Sequence, residues 1–107
     1  MHKMKEHITV CICTYKRPRL LGCLLKELDN QETGGLFTYS IVVADNDRLQ
    51  SAKEIVSQFA SVSSIPVRYC VQPKQNIALT RNTAVSNASG EYIAFIDDDE
   101  FRSEERR

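Results

Sequence analysis

The sequence predicts an α/β domain with an open parallel sheet and helices on both faces, a three-layer, Rossmann-like arrangement. Strand-forming and helical runs alternate in the order β-α-β-α-β-α-β, and polar groups follow three of the four strands. Strands joined through helices pair in parallel with right-handed crossovers. Such sheets bind ligands beyond the carboxyl ends of their strands. The sequence therefore predicts a ligand site at that edge.

The first half of the chain supplies two strands and one helix. Residues 8–14 (ITVCICT) are rich in β-branched side chains and have strand length. Pro18 fits the first turn of a helix. The apolar stripe of that helix comprises Leu20, Leu21, Leu24, Leu25 and Leu28. Gly34 and Gly35 then break the chain, and residues 39–44 (YSIVVA) are typical of a parallel strand covered on both faces.

The second half continues the alternation. Apolar spacing over residues 52–59 predicts a second helix, and residues 66–71 (PVRYCV) predict a short third strand. Asn76 is a residue type that caps a third helix, and Gly90 fits its end. The predicted inner stripe of this helix comprises Ile77, Ala84, Val85 and Ala88. Residues 92–96 (YIAFI) predict the fourth strand.

Composition limits the class of protein. The 107 residues suffice for one domain, and equal numbers of basic and acidic residues, 14 each, give no indication of a nucleic-acid partner. No apolar run approaches the roughly 18 residues of a spanning helix, and no signal-peptide pattern is present. The four cysteines lack metal or disulfide-framework spacing, so we expect buried, reduced thiols. We expect a cytosolic domain and leave attachment to the inner face of a membrane open.

The acidic run after the fourth predicted strand is the sharpest chemical feature. Asp97 and Asp99 can point to one side of an extended chain, with Asp98 between them. Mg2+ and Mn2+ prefer carboxylate oxygens and share them with phosphates, whereas adjacent carboxylates without a cation repel one another. The alternative is a solvated acidic turn. The position directly after an apolar strand favours a metal site.

Three further groups lie at or near the same predicted edge. Asp45 could accept a hydrogen bond from a base imide; the alternative is an Asx turn capped by Asp45 or Asn46. Thr14 and Tyr15 could hold a base, or they could simply end a strand. Arg81, one turn into the third helix, could meet a diphosphate, or it could be a solvated helix residue. No glycine-rich phosphate loop is present.

Four segments together resemble family 2 glycosyltransferases of the GT-A fold. Residues 10–18 are similar to the family's V-V-I-P-T-Y-N-R opening strand, and residues 42–47 to its strand ending in D-N or D-D. Residues 76–82 resemble its N-x-G-x-x-x-A-R-N segment, and residues 90–100 the strand that contains the D-x-D motif. The segments occur in the family's order and span nearly the whole chain. The cysteine-rich first strand and FIDDDE look most like bacterial glucosyltransferases of succinoglycan-type exopolysaccharide synthesis.

The resemblance implies a nucleoside pocket with the metal beside it. It implies that Thr14 and Tyr15 line the pocket, that Asp45 reads a uracil imide, and that Arg81 lies near the diphosphate. The implied nucleotide contacts also include Asp97 and Asp98, and the implied ligands of Mg2+ or Mn2+ are Asp99 and Asp97. Cys13, Lys16 and Ala78 depart from the family's proline, asparagine and glycine. None of these departures removes an implied contact.

The implied activity is metal-dependent, inverting transfer of a sugar from a nucleoside-diphosphate donor, UDP-sugar favoured, to a glycan or lipid-linked acceptor. In the family the catalytic base lies in the acceptor half that follows the D-x-D strand, and no residue here is assigned to it. We therefore expect a truncated, inactive chain: residues 1–100 form the nucleotide-sugar-binding subdomain and residues 101–107 a charged tail. The alternatives are a non-catalytic nucleotide-binding module, a metal-dependent phosphotransferase or phosphohydrolase, and a fragment that does not fold. The donor sugar, acceptor and linkage stay open.

Overall fold

Four strands and three helices alternate along the described part of the chain, as predicted. The computed structural model describes residues 6–30, 37–89 and 92–97; Gly34, Gly35 and Gly90 lie outside them. The elements are β1 (Glu6–Thr14), α1 (Pro18–Asp29), β2 (Phe37–Asp45), α2 (Lys53–Val62), β3 (Val67–Val71), α3 (Ile77–Ser86) and β4 (Tyr92–Asp97). The longest of these helices has 12 residues, and none in the described ranges is long and apolar enough to cross a membrane.

All four strands pair in parallel, in the order β3-β2-β1-β4. The register aligns Thr14 of β1 with Asp45 of β2, and Asp45 with Val71 of β3. On the other side of β1, Cys13 is the partner of Asp97 in β4. The carboxyl ends of the strands therefore lie together at one edge of the sheet. This arrangement confirms the predicted α/β class and its open parallel sheet.

One face of the sheet holds the larger, aliphatic core. Helices α1 and α2 cover this face, and α1 contributes Leu21, Leu24 and Leu25, as the leucine stripe predicts. From the sheet, the buried residues of this core are Val10, Ile12, Ile41 and Val43. Each buried aliphatic side chain contributes about 1.5–3 kcal/mol relative to exposure. Hydrophobic burial therefore fixes the strands that end at the ligand edge.

The opposite face packs against α3 through a layer of small side chains. The buried members of this layer are Cys11, Val42, Ala44 and Ala84, with Cys70 and Ala88 packed against them. The predicted inner stripe of α3 was partly wrong, because Ile77 is 56% exposed and Val85 is 41% exposed. Thr80 takes the inner position one turn before Ala84, and its hydroxyl donates to the Asn76 carbonyl at 2.7 Å. A close approach of helix and sheet selects small residues, and this local bond satisfies the threonine hydroxyl.

The cysteines follow the prediction at three positions and depart from it at one. All four are free thiols; Cys11 and Cys13 are buried, and Cys70 is half-buried. Burial raises the pKa of the Cys11 and Cys70 thiols, which keeps them protonated at neutral pH. Cys23 is exposed, contrary to expectation, because it lies on α1 outside the leucine stripe that faces the sheet.

Candidate functional site

The end of β1 contributes Thr14 and Tyr15 to the edge of the sheet where the carboxyl ends of the strands meet. Thr14 is buried, and its carbonyl accepts the Asn46 amide at 2.8 Å. Tyr15 follows with 36% of its surface exposed, and the Lys16 ammonium lies 5.3 Å from the centroid of its ring. Lys16 has a left-handed backbone, with φ of 55°. This conformation costs a non-glycine residue about 1–2 kcal/mol, so the surrounding contacts must hold the turn. The turn leaves the Tyr15 ring accessible at the edge.

Asp45 is fully buried at the end of β2, and its carboxylate has three protein donors. Oδ1 accepts the Asp47 amide at 3.0 Å, which is the Asx turn considered from the sequence. Oδ2 accepts the Ala52 amide at 3.0 Å and the Tyr69 hydroxyl at 2.6 Å. Ala52 is the N-cap of α2, where backbone amides point outward and favour negative charge. These bonds compensate the buried charge and close the turn between β2 and α2.

The same contacts set a condition on the predicted base contact of Asp45. Its exposed fraction is 0%, so a ligand reaches this carboxylate only if the turn opens locally. From the described residues, Oδ1 has one protein donor whereas Oδ2 has two, and a carboxylate oxygen accepts two hydrogen bonds. Oδ1 is therefore the atom with capacity for a base imide. The contact itself stays a prediction.

Asn46 links β2 to the loop that leads into α3. Its side-chain amide donates to the carbonyls of Gln72 and Lys74 at 2.8 and 2.9 Å. Its Oδ1 accepts the Asn76 backbone amide at 3.2 Å. The sequence pattern considered Asn46 only as a turn residue and missed these partners. The one indication in the sequence is an amide side chain placed directly after a buried strand.

Asp47 is a buried, ionised neighbour of this network. Its Oδ1 accepts the Leu49 amide at 3.0 Å. That bond is the main reason that the pKa of Asp47 lies below its ordinary value, and the nearby charge of Lys16 lowers it further. The turn after β2 thus holds carboxylates at positions 45 and 47, each with backbone donors.

Helix α3 brings Arg81 across to β4. Asn76 caps this helix by accepting the Leu79 amide at 3.0 Å, which confirms the predicted cap. One turn later, the guanidinium carbon of Arg81 lies 5.7 Å from the centroid of the Phe95 ring. Phe95 is two residues before Asp97, the last residue of β4. Arg81 is therefore close to the carboxyl end of β4, on the side of the sheet covered by α3.

The predicted metal ligands lie largely outside the residues that the structure describes. The backbone of Asp97 ends β4, but its side chain and the residues Asp98, Asp99 and Glu100 lie outside the described residues. Within residues 6–30, 37–89 and 92–97, no three histidine, cysteine, aspartate or glutamate side chains cluster as metal ligands do. The metal site stays a prediction. The structure does bring Thr14, Tyr15, Asp45 and the backbone of Asp97 to one edge.

The sequence over residues 9–106 matches the profile of Glycosyl transferase family 2. The chain belongs to this family. Among curated family 2 relatives, the chain is 35% identical over 96 residues to the succinoglycan biosynthesis protein ExoM of Rhizobium meliloti, covering 88% of this chain and 30% of ExoM. It is 32% identical over 96 residues to the chondroitin synthase of Escherichia coli, covering 88% of this chain and 13% of that protein.

The fold of this family 2 chain also matches a solved glycosyltransferase. The mannosyltransferase PcManGT from Pyrobaculum calidifontis, solved in complex with GDP-Man and Mn2+, superimposes with a TM-score of 0.77 at 21% identity. The match covers 90% of this chain and 28% of PcManGT. The sheet and its helices therefore form a GT-A arrangement. The chain spans less than a third of the length of each of these three proteins.

Proposed function

We propose that this family 2 member binds a nucleoside-diphosphate sugar, UDP-sugar favoured, at the carboxyl edge of its sheet. We further propose that the sugar is transferred, with inversion, to a saccharide or lipid-linked acceptor in bacterial polysaccharide or cell-envelope glycan synthesis. The observation that supports this most is the convergence of strand ends at one edge with Arg81 beside them. The likeness to a succinoglycan biosynthesis protein and a chondroitin synthase supports the acceptor class.

The nucleoside would be held by the ends of β1 and β2. The exposed ring of Tyr15 offers a stacking surface for a base, with Thr14 next to it. Asp45 would accept the imide N–H of uracil through Oδ1, after a local opening of its turn. The resemblance to the family, together with this contact to an imide N–H, is the basis for favouring UDP over other nucleotides.

The diphosphate would lie between α3 and the end of β4. Arg81 would contact it from α3, since a guanidinium pairs well with phosphate oxygens. Asp97 and Asp98 would contact the nucleotide, and Asp99 and Asp97 would hold Mg2+ or Mn2+. Their carboxylate oxygens are the donor type that these hard cations prefer, and PcManGT binds Mn2+ together with GDP-Man. When bound, the metal neutralises charge on the departing nucleoside diphosphate.

Titration of the purified chain with UDP, with and without Mn2+, tests this proposal, and a parallel titration with GDP tests the preference for uracil. We expect binding that depends on Mn2+ and that weakens at least about tenfold in Asp99→Ala, which corresponds to about 1.4 kcal/mol. The matched control is Asp29→Ala, because Asp29 is an exposed carboxylate at the end of α1 that bonds Ser63. We expect the control to bind UDP as the wild type does.

Three outcomes of this titration would contradict the proposal. A folded chain that does not bind UDP, with or without Mn2+, would refute the proposed site. If Mn2+ strengthens UDP binding in Asp99→Ala as much as in the wild type, Asp99 is not a metal ligand. Equal affinity for GDP and UDP would remove the preference for uracil while leaving a nucleotide site in place.

A further inference from the structure

We infer that Asn46 is a positioning residue that holds together the two halves of the proposed nucleotide site. One half is the end of β1 and β2, with Tyr15 as its exposed aromatic ring. The other half is the first turn of α3, which leads to Arg81. The inference rests on the proposed function in one respect only, which is that a single nucleotide spans both halves.

The hydrogen bonds of Asn46 divide cleanly between backbone and side chain. Its backbone amide bonds the Thr14 carbonyl and so belongs to the β1–β2 half. Among the described residues, its side chain bonds the segment between β3 and α3, with partners 26, 28 and 30 residues away at Gln72, Lys74 and Asn76. Removal of the side chain would therefore free the part of that segment from Lys74 to Asn76. The backbone bond from the Gln72 amide to the Asp45 carbonyl and the bond between β1 and β2 would remain.

The three side-chain bonds of Asn46, here called the tether, use nearly all of its hydrogen-bonding capacity. A primary amide has two N–H donors and two acceptor lone pairs, and three of these four are used. Asn46 is 8% exposed, so its partners lose donors and acceptors that water replaces only in part. Both N–H groups are occupied by carbonyls, which leaves neither of them for a nucleotide. This side chain therefore acts through the segment that it holds.

The tether acts on the start of α3 because Asn76 has two roles. Its backbone amide is bound by Asn46, and its side chain caps the helix at Leu79. The loop and the helix are also joined to each other, since the Gln72 side chain donates to the Thr83 hydroxyl at 3.0 Å. Loop and first turn thus form one unit. The Asn46 side chain bonds this unit to the turn that follows β2. We therefore expect its removal to shift Arg81 relative to the end of β4.

Comparison of UDP with uridine in Asn46→Ala tests the inference. Uridine uses only the β1–β2 half, whereas UDP also needs the diphosphate contact. We expect Asn46→Ala to weaken UDP at least about tenfold and uridine less than about twofold, both measured with Mn2+. The matched control is Asn87→Ala at the far end of α3, where the amide donates to the Thr83 carbonyl at 2.9 Å. We expect less than about a twofold change for either ligand in this control.

Hydrogen exchange at the Asn76 amide gives a readout that needs no nucleotide. We expect this amide to exchange at least about ten times faster in Asn46→Ala and at the wild-type rate in Asn87→Ala. If Asn46→Ala does not fold, Asn46→Ser is measured by the same criteria, since its hydroxyl keeps a polar group at this position.

The two readouts separate the inference from the proposed function. Unchanged exchange at Asn76 would overturn the tether. Equal losses of UDP and uridine affinity would overturn the positioning role, because a general loss of structure weakens both ligands. A folded wild-type chain that binds neither ligand would overturn the proposed function, and with it the nucleotide role of Asn46. Faster exchange in that case would leave the tether itself standing.

Discussion

Replacement of Tyr69 by phenylalanine probes the buried carboxylate network with the loss of one oxygen atom. The Tyr69 hydroxyl donates to Oδ2 of Asp45 at 2.6 Å, and Asp45 has no exposed surface. The ring packs against the aliphatic core and would stay in place in the variant. The substitution therefore isolates one donor to a buried charge.

The expected cost follows from the charge of the acceptor. A hydrogen bond to a charged group contributes about 1.5–3 kcal/mol, so we expect Tyr69→Phe to lower the free energy of unfolding by about 2 kcal/mol. For a chain of this size, that loss corresponds to a fall in Tm of roughly 10 °C. Two bonds to the carboxylate remain, from the amides of Asp47 and Ala52, so the fold should survive.

Tyr39→Phe is the matched control, because the Tyr39 hydroxyl donates to the uncharged Leu28 carbonyl. We expect it to cost about 1 kcal/mol, the contribution of a neutral bond. Urea unfolding followed by circular dichroism at neutral pH measures both variants. A loss below about 0.5 kcal/mol in Tyr69→Phe, or one no larger than in the control, would refute the view that Asp45 is a buried, charged anchor.

Two further predictions concern the turn after β2 and the start of α3. The Leu49 amide holds the pKa of Asp47 below its ordinary value of 3.8, so this contribution to stability is present above that pH and is lost as the pH falls below it. Asp47→Asn should therefore lose less stability than the wild type between neutral pH and about pH 3 in urea unfolding, and equal losses would contradict the assignment. Asn76→Ala removes the cap on the Leu79 amide and should cost about 1 kcal/mol, whereas Asn82→Ala, at an exposed position inside the same helix, should be neutral or slightly stabilising. Equal unfolding midpoints for these two variants would show that the cap contributes nothing.

The order of elements was predictable because the core residues recur with regular spacing within each helix and strand. The leucines of α1 recur with helical spacing and all face one layer. The nearly continuous apolar run of β2 matches a strand buried on both faces. In α3 the same reasoning selected Ala84 and Ala88 correctly but also Ile77 and Val85, because apolar side chains were chosen whatever their size. The layer beneath α3 is made of small residues, so Thr80 and Ala84 are the ones that face it.

The connections within the site were not predictable, because they join residues far apart in sequence. Tyr69 lies in a short apolar strand and would be taken as a core residue, yet its hydroxyl bonds a carboxylate 24 positions earlier. Asn46 has side-chain partners up to 30 positions away. Neither link leaves a periodic pattern. What the sequence did indicate is the polar residue at a strand end, Asp45, and the residue that caps α3, Asn76.

The thin layer beneath α3 sets the distance between this helix and the sheet, and with it the position of Arg81, the residue proposed to contact the diphosphate. Because Cys11, Val42, Ala44 and Ala84 fill the space between helix and sheet, their volumes set how high α3 lies above β1 and β2. The height of Arg81 above the sheet therefore depends on residues that are not among the proposed nucleotide contacts. Enlarging one of them would lift the arginine away from the end of β4. If the proposed site binds the donor, its affinity will therefore depend on the size of side chains in this layer, none of which is a proposed contact of the donor.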